Sequence, residues 1–308
     1  MLPHENAALL VFVAGYAALA VGHLFSFKIN RTGIALLGAI LMVTVGGFPP
    51  HRALLSVNFP TLITLYALMI LSAQLWLSGF FTWVAQKIAV ALDRPKVFLL
   101  QLMAVSALLS AFLINDVVCL AFTPVVALAV LRKGLNPLPF LMGLALSANI
   151  GAAATPIGNP QNIMVSSMAG LHFSQYLLWS LPPTLLALAA AYGLTWAQGR
   201  KDLRAPGAPR VLEAAFPGLD RRETTKGLLV FGLVVALFFT PLPRDLVLLS
   251  AAGLLLLSRR ISSTDLLGRV DYSMLTLFTG LFIIVGGLRD TRFPAMALQA
   301  LQSWGIDL

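Results

Sequence analysis

Long uncharged stretches alternate with short charged or Pro/Gly-rich punctuation along this chain. No Asp, Glu, Lys or Arg occurs anywhere from Gly134 to Gly199, nor between Ala53 and Gln86. Such runs exceed the roughly 20 apolar residues that a bilayer-spanning helix needs. The pattern predicts helical spans at 6–26, 32–48, 58–81, 138–165, 174–197, 226–242, 244–258 and 272–289. Residues 82–95 mix Lys87, Asp93 and Arg94 with apolar positions, as an interfacial amphipathic helix does. The fold class is therefore an all-α membrane protein crossing the bilayer several times.

The segment 97–131 departs from that rhythm. Two apolar arms, Val97–Leu113 and Val117–Leu131, flank Asn115-Asp116, with Lys96 before them and Arg132-Lys133 after them. Each arm falls short of the length that a comfortable crossing needs. A re-entrant hairpin with Asn115-Asp116 at its tip keeps all three basic flanks on one face. Cytoplasmic loops concentrate Lys and Arg. With the N-terminus outside and this hairpin in place, 17 of the 21 basic residues fall inside, and only Arg52, Arg244, Arg289 and Arg292 fall outside.

Composition agrees. The chain is 58% hydrophobic and 11% charged, against about 45–50% and about 25% in soluble domains. That excludes a cytosolic enzyme, and the +9 net charge reads as sidedness rather than as a nucleic-acid surface. The single Cys119 excludes intramolecular disulfides and cysteine-rich metal sites. His4, His23, His51 and His172 form no i,i+4 ligand pair, so no metal centre is expected from them. The opening Met-Leu-Pro-His-Glu lacks a basic stretch, so the first span is expected to be retained rather than cleaved.

Sliding the sequence against itself until Arg31 falls on Arg244 aligns 31–80 with 244–293 without a gap, at ten identities in fifty positions. Six identities are Leu pairs, which arise easily in a Leu-rich chain, but the polar register also repeats. Arg31 and Arg244 open equivalent helices, and Asn58 pairs with Asp271 just before the next ones. Five crossings separate the copies, so the second is expected to be inverted, a signature of secondary transporters. The expected domains are a first repeat at 1–199, a cytoplasmic linker at 200–226 and an incomplete second repeat at 227–308. The counterpart of the first copy would extend to about residue 380, so either the sequence is a fragment or its second half is degenerate; the fragment is the favoured expectation.

Two places carry candidate chemistry. Asp116 is the only formal charge between Lys96 and Arg132. A carboxylate at membrane depth usually marks an ion or proton pathway, and its desolvation would favour the neutral form. The competing reading is a helix cap, which Asp and Asn both provide. Asn115 beside it offers a carbonyl to a cation or an N–H to an anion. The second place runs from Ser147 through Asn149, Gly151, Thr155, Pro156, Gly158, Asn159 and Pro160 to Asn162, inside the 138–165 span. Two prolines and two glycines there break a helix. Unwound backbone at membrane depth survives only where it is buried or lines a cavity, and transporters build midplane sites this way.

These two motifs, Ser110-Ala-Phe-Leu-Ile-Asn115-Asp116 with Thr123-Pro124, and Ala148-Asn149-Ile-Gly151-Ala-Ala-Ala-Thr155-Pro156-Ile-Gly158-Asn159-Pro160-Gln-Asn162, resemble the ion transporter superfamily. The branch they resemble holds arsenite permeases, sodium/proton antiporters and divalent anion–sodium symporters. The resemblance implies substrate and sodium sites enclosed by hairpins and broken helices, homodimers, elevator-like motion, and residence in the cytoplasmic membrane of a prokaryote. Carried over, it implicates Ser110, Asn115 and Asp116 at the hairpin tip and Asn149, Gly151, Thr155, Gly158, Asn159 and Asn162 in the broken helix, which Ser147 joins on the residue pattern alone. A Na⁺ ion is expected at Asn115, Asp116 and Asn149; no cofactor is expected otherwise. Sodium–dicarboxylate members show Ser-Asn-Thr at the tip, so Ile114-Asn115-Asp116 leans towards the arsenite and antiporter branches.

The expected function is secondary active transport of a small anion coupled to H⁺ or Na⁺, with sodium/proton antiport as the alternative. Partners are then the bilayer and these solutes, not nucleic acid. A membrane-embedded enzyme would need a nucleophile and base or metal ligands in one plane, whereas the midplane polar residues are Asn, Ser, Thr and one Asp.

Overall fold

The computed structural model describes residues 3–22, 28–199 and 218–303, and every regular element among them is a helix. In order they are α1 (Pro3–Val21), α2 (Arg31–Thr44), α3 (Pro50–Ser56), α4 (Phe59–Leu77), α5 (Phe80–Ala89), α6 (Pro95–Phe112), α7 (Asn115–Arg132), α8 (Leu138–Ala152), α9 (Pro160–Met168), α10 (Phe173–Gly199), α11 (Arg221–Leu237), α12 (Arg244–Leu256), α13 (Ser263–Leu267), α14 (Tyr272–Arg289) and α15 (Phe293–Ser303). Six of these, α1, α4, α6, α7, α10 and α14, are long and apolar enough to cross a membrane. His23 and residues 200–217 of the expected linker lie outside the described residues. Residues 221–226, also expected in that linker, form the first turns of α11. Asp220 starts that helix early by accepting from the backbone N–H groups of Arg222 and Glu223.

Contacts divide the chain into two compact units, Met1–Leu62 with Asp271–Leu308, and Ile63–Val270. In the first unit, Ala8, Val11, Met42, Phe48, Ala53 and Ile284 form the core. Its helices approach closely through small residues, as membrane helices do. A Cβ on Gly280 of α14 would stand 2.7 Å from the Ala35 carbonyl oxygen of α2, and one on Gly38 would stand 2.6 Å from Ile284. At one end of this unit Arg52 pairs with Asp290 at 2.7 Å and Arg292 with Glu5 at 3.1 Å.

In the second unit α6 and α7 form a helical hairpin whose tip is Leu113-Ile114. Each arm has 18 residues, about 27 Å of helix, and is longer than the sequence pattern suggests. The reason is local: Pro95 opens α6 before the apolar run begins, and α7 continues through Arg132. The hairpin is closed at its base, where the Lys133 ammonium meets Asp93 at 2.7 Å and holds that carboxyl below the usual carboxylate range. Lys96 lies over the Trp196 ring of α10 at 4.4 Å. Both flanks of 97–131 therefore lie at one end of the unit, as the charge pattern requires.

The predicted 138–165 span is broken. It ends as α8 at Ala152 and resumes as α9 at Pro160, and α8 packs along both α6 and α7. Elsewhere, α2 to α5 begin at Arg31, Pro50, Phe59 and Phe80, and α12 to α15 at Arg244, Ser263, Tyr272 and Phe293, so all four pairs of starts share one offset. The caps repeat as well. The Asn58 side chain accepts from the Thr61 N–H and the Asp271 side chain from the Met274 N–H, both at 3.0 Å.

A hairpin closed at its base makes a topological prediction. In membrane vesicles containing a Cys119→Ala protein, Lys96→Cys and Lys133→Cys should react with an impermeant maleimide from the same side. Labelling from opposite sides would contradict both the hairpin and the assignment of basic residues to one face.

Candidate functional site

The hairpin tip and the helix break meet. The chain reverses between α6 and α7 within two residues, Leu113 and Ile114, both buried. Ile114 provides no side-chain cap for α7, so the first turn of that helix looks elsewhere for partners. The backbone N–H of Asn115 points to the Gly158 carbonyl of the break at 3.4 Å. The Asn115 side-chain amide donates to Asn149 Oδ1 at 2.9 Å, and Asn149 in turn donates to the Ala145 carbonyl at 3.1 Å. Tip and break are thus joined by two independent links.

Much of the polar sequence around the break satisfies the break itself. Unwinding α8 at Ala152 leaves carbonyls without helical partners. Asn162 donates to two such carbonyls, Ala152 at 3.2 Å and Thr155 at 3.0 Å. Asn159 caps α9 by accepting from the Asn162 N–H at 2.7 Å. The buried Thr155 hydroxyl donates to the Ala111 carbonyl near the end of α6. Ser147 is fully buried one turn before the break, hydrogen-bonded to Ser106 of α6.

Gly151 and Gly158 are demanded by close approach rather than by backbone angle. A Cβ on Gly151 would lie 2.3 Å from the Ala107 carbonyl oxygen. One on Gly158 would lie 2.3 Å from the Ala152 carbonyl oxygen and 2.8 Å from that of Ser110. These two glycines let α8 and the break lie directly against α6.

What remains is a pair of unfilled acceptors at the tip. Ser110 Oγ and Asn115 Oδ1 are buried and have no hydrogen-bond partner among the described residues, with residue exposures of 0% and 7%. Buried polar atoms without partners are costly; besides these two, the described residues leave Thr61 Oγ1, Ser72 Oγ and Gln74 Oε1 of α4 in the same condition. Asp116 is not turned into the interior. It lies in the first turn of α7 and is exposed, so the buried polar residue of the tip is Asn115. Nor does Asp116 occupy the cap position, which belongs to Ile114. It remains the only formal charge between Lys96 and Arg132, and its acidity suits the positive end of a helix.

All ten sequence-predicted residues therefore lie on α6 to α9 or the break between α8 and α9. Eight of them share direct contacts around the tip and break: Ser110, Asn115, Asn149, Gly151, Thr155, Gly158, Asn159 and Asn162. Ser147 stands one turn away. Sequence reasoning missed Ser106, the partner of Ser147. The spacing of Ser106 and Ser110, four residues apart, puts them on one helix face, but nothing local pairs Ser106 with Ser147.

Residues 16–307 match the family model described as CitMHS, citrate transporter. The chain belongs to this family. An uncharacterized transporter of Mycobacterium tuberculosis strain H37Rv is 33% identical over 303 residues, covering 92% of this chain and 68% of that protein. A silicon efflux transporter of Oryza sativa subsp. japonica is 36% identical over 160 residues, 52% of this chain and 33% of its own. A Dictyostelium discoideum relative that carries the transporter name arsB is 31% identical over 195 residues, 63% of this chain and 34% of its own. The family membership and the apolar helices agree with the resemblance drawn from the two motifs, and the chain is a multi-pass membrane transporter of the citrate transporter family.

The close approaches predict sharp sensitivity at two positions. Gly151→Val and Gly158→Val each drive side-chain atoms into main chain that cannot yield, where overpacking costs about 1–3 kcal/mol or more. Both should lower the unfolding temperature of purified protein. Gly193→Ala in α10, with nothing within 4 Å of its Cβ position, should leave it unchanged or raised. Wild-type stability in both valine variants would refute the packing described.

Proposed function

We propose that this chain is a secondary active transporter that moves a small inorganic or organic anion across the cytoplasmic membrane in company with H⁺ or Na⁺. The observation that carries this reading is the pair of unfilled oxygens, Ser110 Oγ and Asn115 Oδ1, where the hairpin tip meets the break. Electrostatics supports the coupling. From Val97 to Leu131 and from Gly134 to Gly199 the only formal charge is Asp116, and it is negative. An anion entering alone would meet no Lys or Arg there. A co-bound cation or proton at Asn115, Asp116 and Asn149 supplies the missing positive charge, together with the positive ends of α7 and α9. Membership of a family described by citrate, with relatives named for silicon efflux and arsB, supports a small oxygen-rich solute without choosing one.

The same charge balance supports a second reading, sodium/proton antiport, in which the cation is itself the cargo. Repeat architecture underlies both. The constant offset between four successive pairs of helix starts, shared by the Asn58 and Asp271 caps, supports repeats at 1–199 and from 227 onward, inverted across the membrane. The basic-residue distribution supports an N-terminus outside, and the superfamily resemblance supports a homodimer.

Asp116→Asn keeps size and hydrogen bonding but removes charge and titration. In proteoliposomes it should reduce gradient-driven uptake of citrate or arsenite, or Na⁺/H⁺ exchange, by at least about tenfold, with insertion unchanged. A residue acting only on the helix dipole would lose about 0.3–1 kcal/mol of stability on becoming Asn and leave coupled transport intact. Undiminished transport that retains its pH or Na⁺ dependence would eliminate the ion-coupling role.

A further inference from the structure

We propose that the α11–α12 pair carries a binding site for one anionic phospholipid, headgroup on an arginine cluster and acyl chain in the groove between the two helices. The groove has a volume of about 310 Å³ and is lined by Val230, Leu233 and Val234 of α11 and Leu246, Ser250 and Leu254 of α12, among others. Its wall is apolar but for Ser250, and Leu233, Leu246 and Leu254 are more than half exposed. Beyond its Val230–Leu254 end the two helices are tied together. Lys226 of α11 donates to the Leu255 and Leu257 carbonyls, at 3.3 and 2.9 Å. Past that tie lies a depression of about 500 Å³ lined by Gly218, Leu219, Asp220, Arg221, Arg222 and Arg260.

Charge decides the headgroup. The only acid of the depression, Asp220, is engaged by Arg260 at 3.0 Å and by the N-terminus of α11. Arg221 and Arg222 are exposed and make no ion pair among the described residues, leaving the cluster two positive charges in excess. Basic pockets at the membrane surface between helices select anionic headgroups. Size decides the tail. A groove of about 310 Å³ admits a slender chain, and an extended peptide there would bury backbone groups without partners. An acyl chain has no such difficulty. Arg222 and Val230 are eight residues apart, about 12 Å along the helix, which leaves room for the glycerol between phosphate and chain.

The test compares thermal unfolding of the purified chain in a nonionic detergent with dioleoyl phosphatidylglycerol, with dioleoyl phosphatidylcholine, and with glycerol 3-phosphate. Phosphatidylglycerol should raise the unfolding temperature by several degrees, while phosphatidylcholine and free glycerol phosphate leave it unchanged. Arg221→Gln/Arg222→Gln should lose at least half of that rise. Ser250→Trp, which fills the groove, should lose all of it with the arginines intact. Equal stabilisation by both lipids, a rise with glycerol phosphate alone, or a wild-type response in the double arginine variant would overturn the proposal. So would Ser250→Cys cross-linking to a second copy in a Cys119→Ala background, because the groove would then be a protein interface.

Discussion

Within a bilayer every main-chain N–H and C=O must find its partner inside the protein, and this chain interrupts a helix between Ala152 and Pro160. That interruption organises the residues around it. Asn162 takes up the carbonyls left by α8, Asn159 supplies the start of α9, and Thr155 reaches across to the end of α6. Gly151 and Gly158 bring the backbones close enough for those bonds to form. An amide-rich and glycine-rich segment is what an unwound stretch in an apolar surrounding requires.

Once the break has met its own needs, the unpartnered buried oxygens beside it lie on the hairpin, the others among the described residues being on α4. Ser110 and Asn115 hold unfilled oxygens beneath a tip whose charge is a single exposed carboxyl. Under the proposed function, neutral oxygens and helix ends would hold a solute without a fixed counter-charge, which suits a cycle of binding and release. The hairpin base is treated differently. There Asp93 and Lys133 make a surface ion pair across the hairpin base, of a kind that contributes little to stability.

The sequence made the long elements and the break legible because both depend on strong local signals. The span read at 272–289 has those limits in the structure, and Asp271 caps it as its position suggested. Prolines and glycines between Gly151 and Pro160 located the interruption. Short elements escaped: α3 and α13 have seven and five residues, too few for a hydrophobic period to register. Burial was misread at one point. A charge in an apolar run suggested that Asp116 faces the bundle interior, whereas the fold turns Asn115 inward and leaves Asp116 at the protein surface. The Ser106–Ser147 contact was hidden for a related reason, since it joins residues 41 apart in sequence and no local pattern encodes that pairing.

The central claim is that Ser110 Oγ and Asn115 Oδ1 hold the solute or coupling ion. The most direct measurement is ligand-induced thermal stabilisation of purified protein over Na⁺, citrate and arsenite, compared between wild type and Ser110→Ala/Asn115→Ala. The account predicts that at least one of these solutes raises the wild-type unfolding temperature in a saturable way and that the double variant, though folded, loses the rise. A rise of equal size and midpoint in the double variant, or none in the wild type with any of the three, would contradict it.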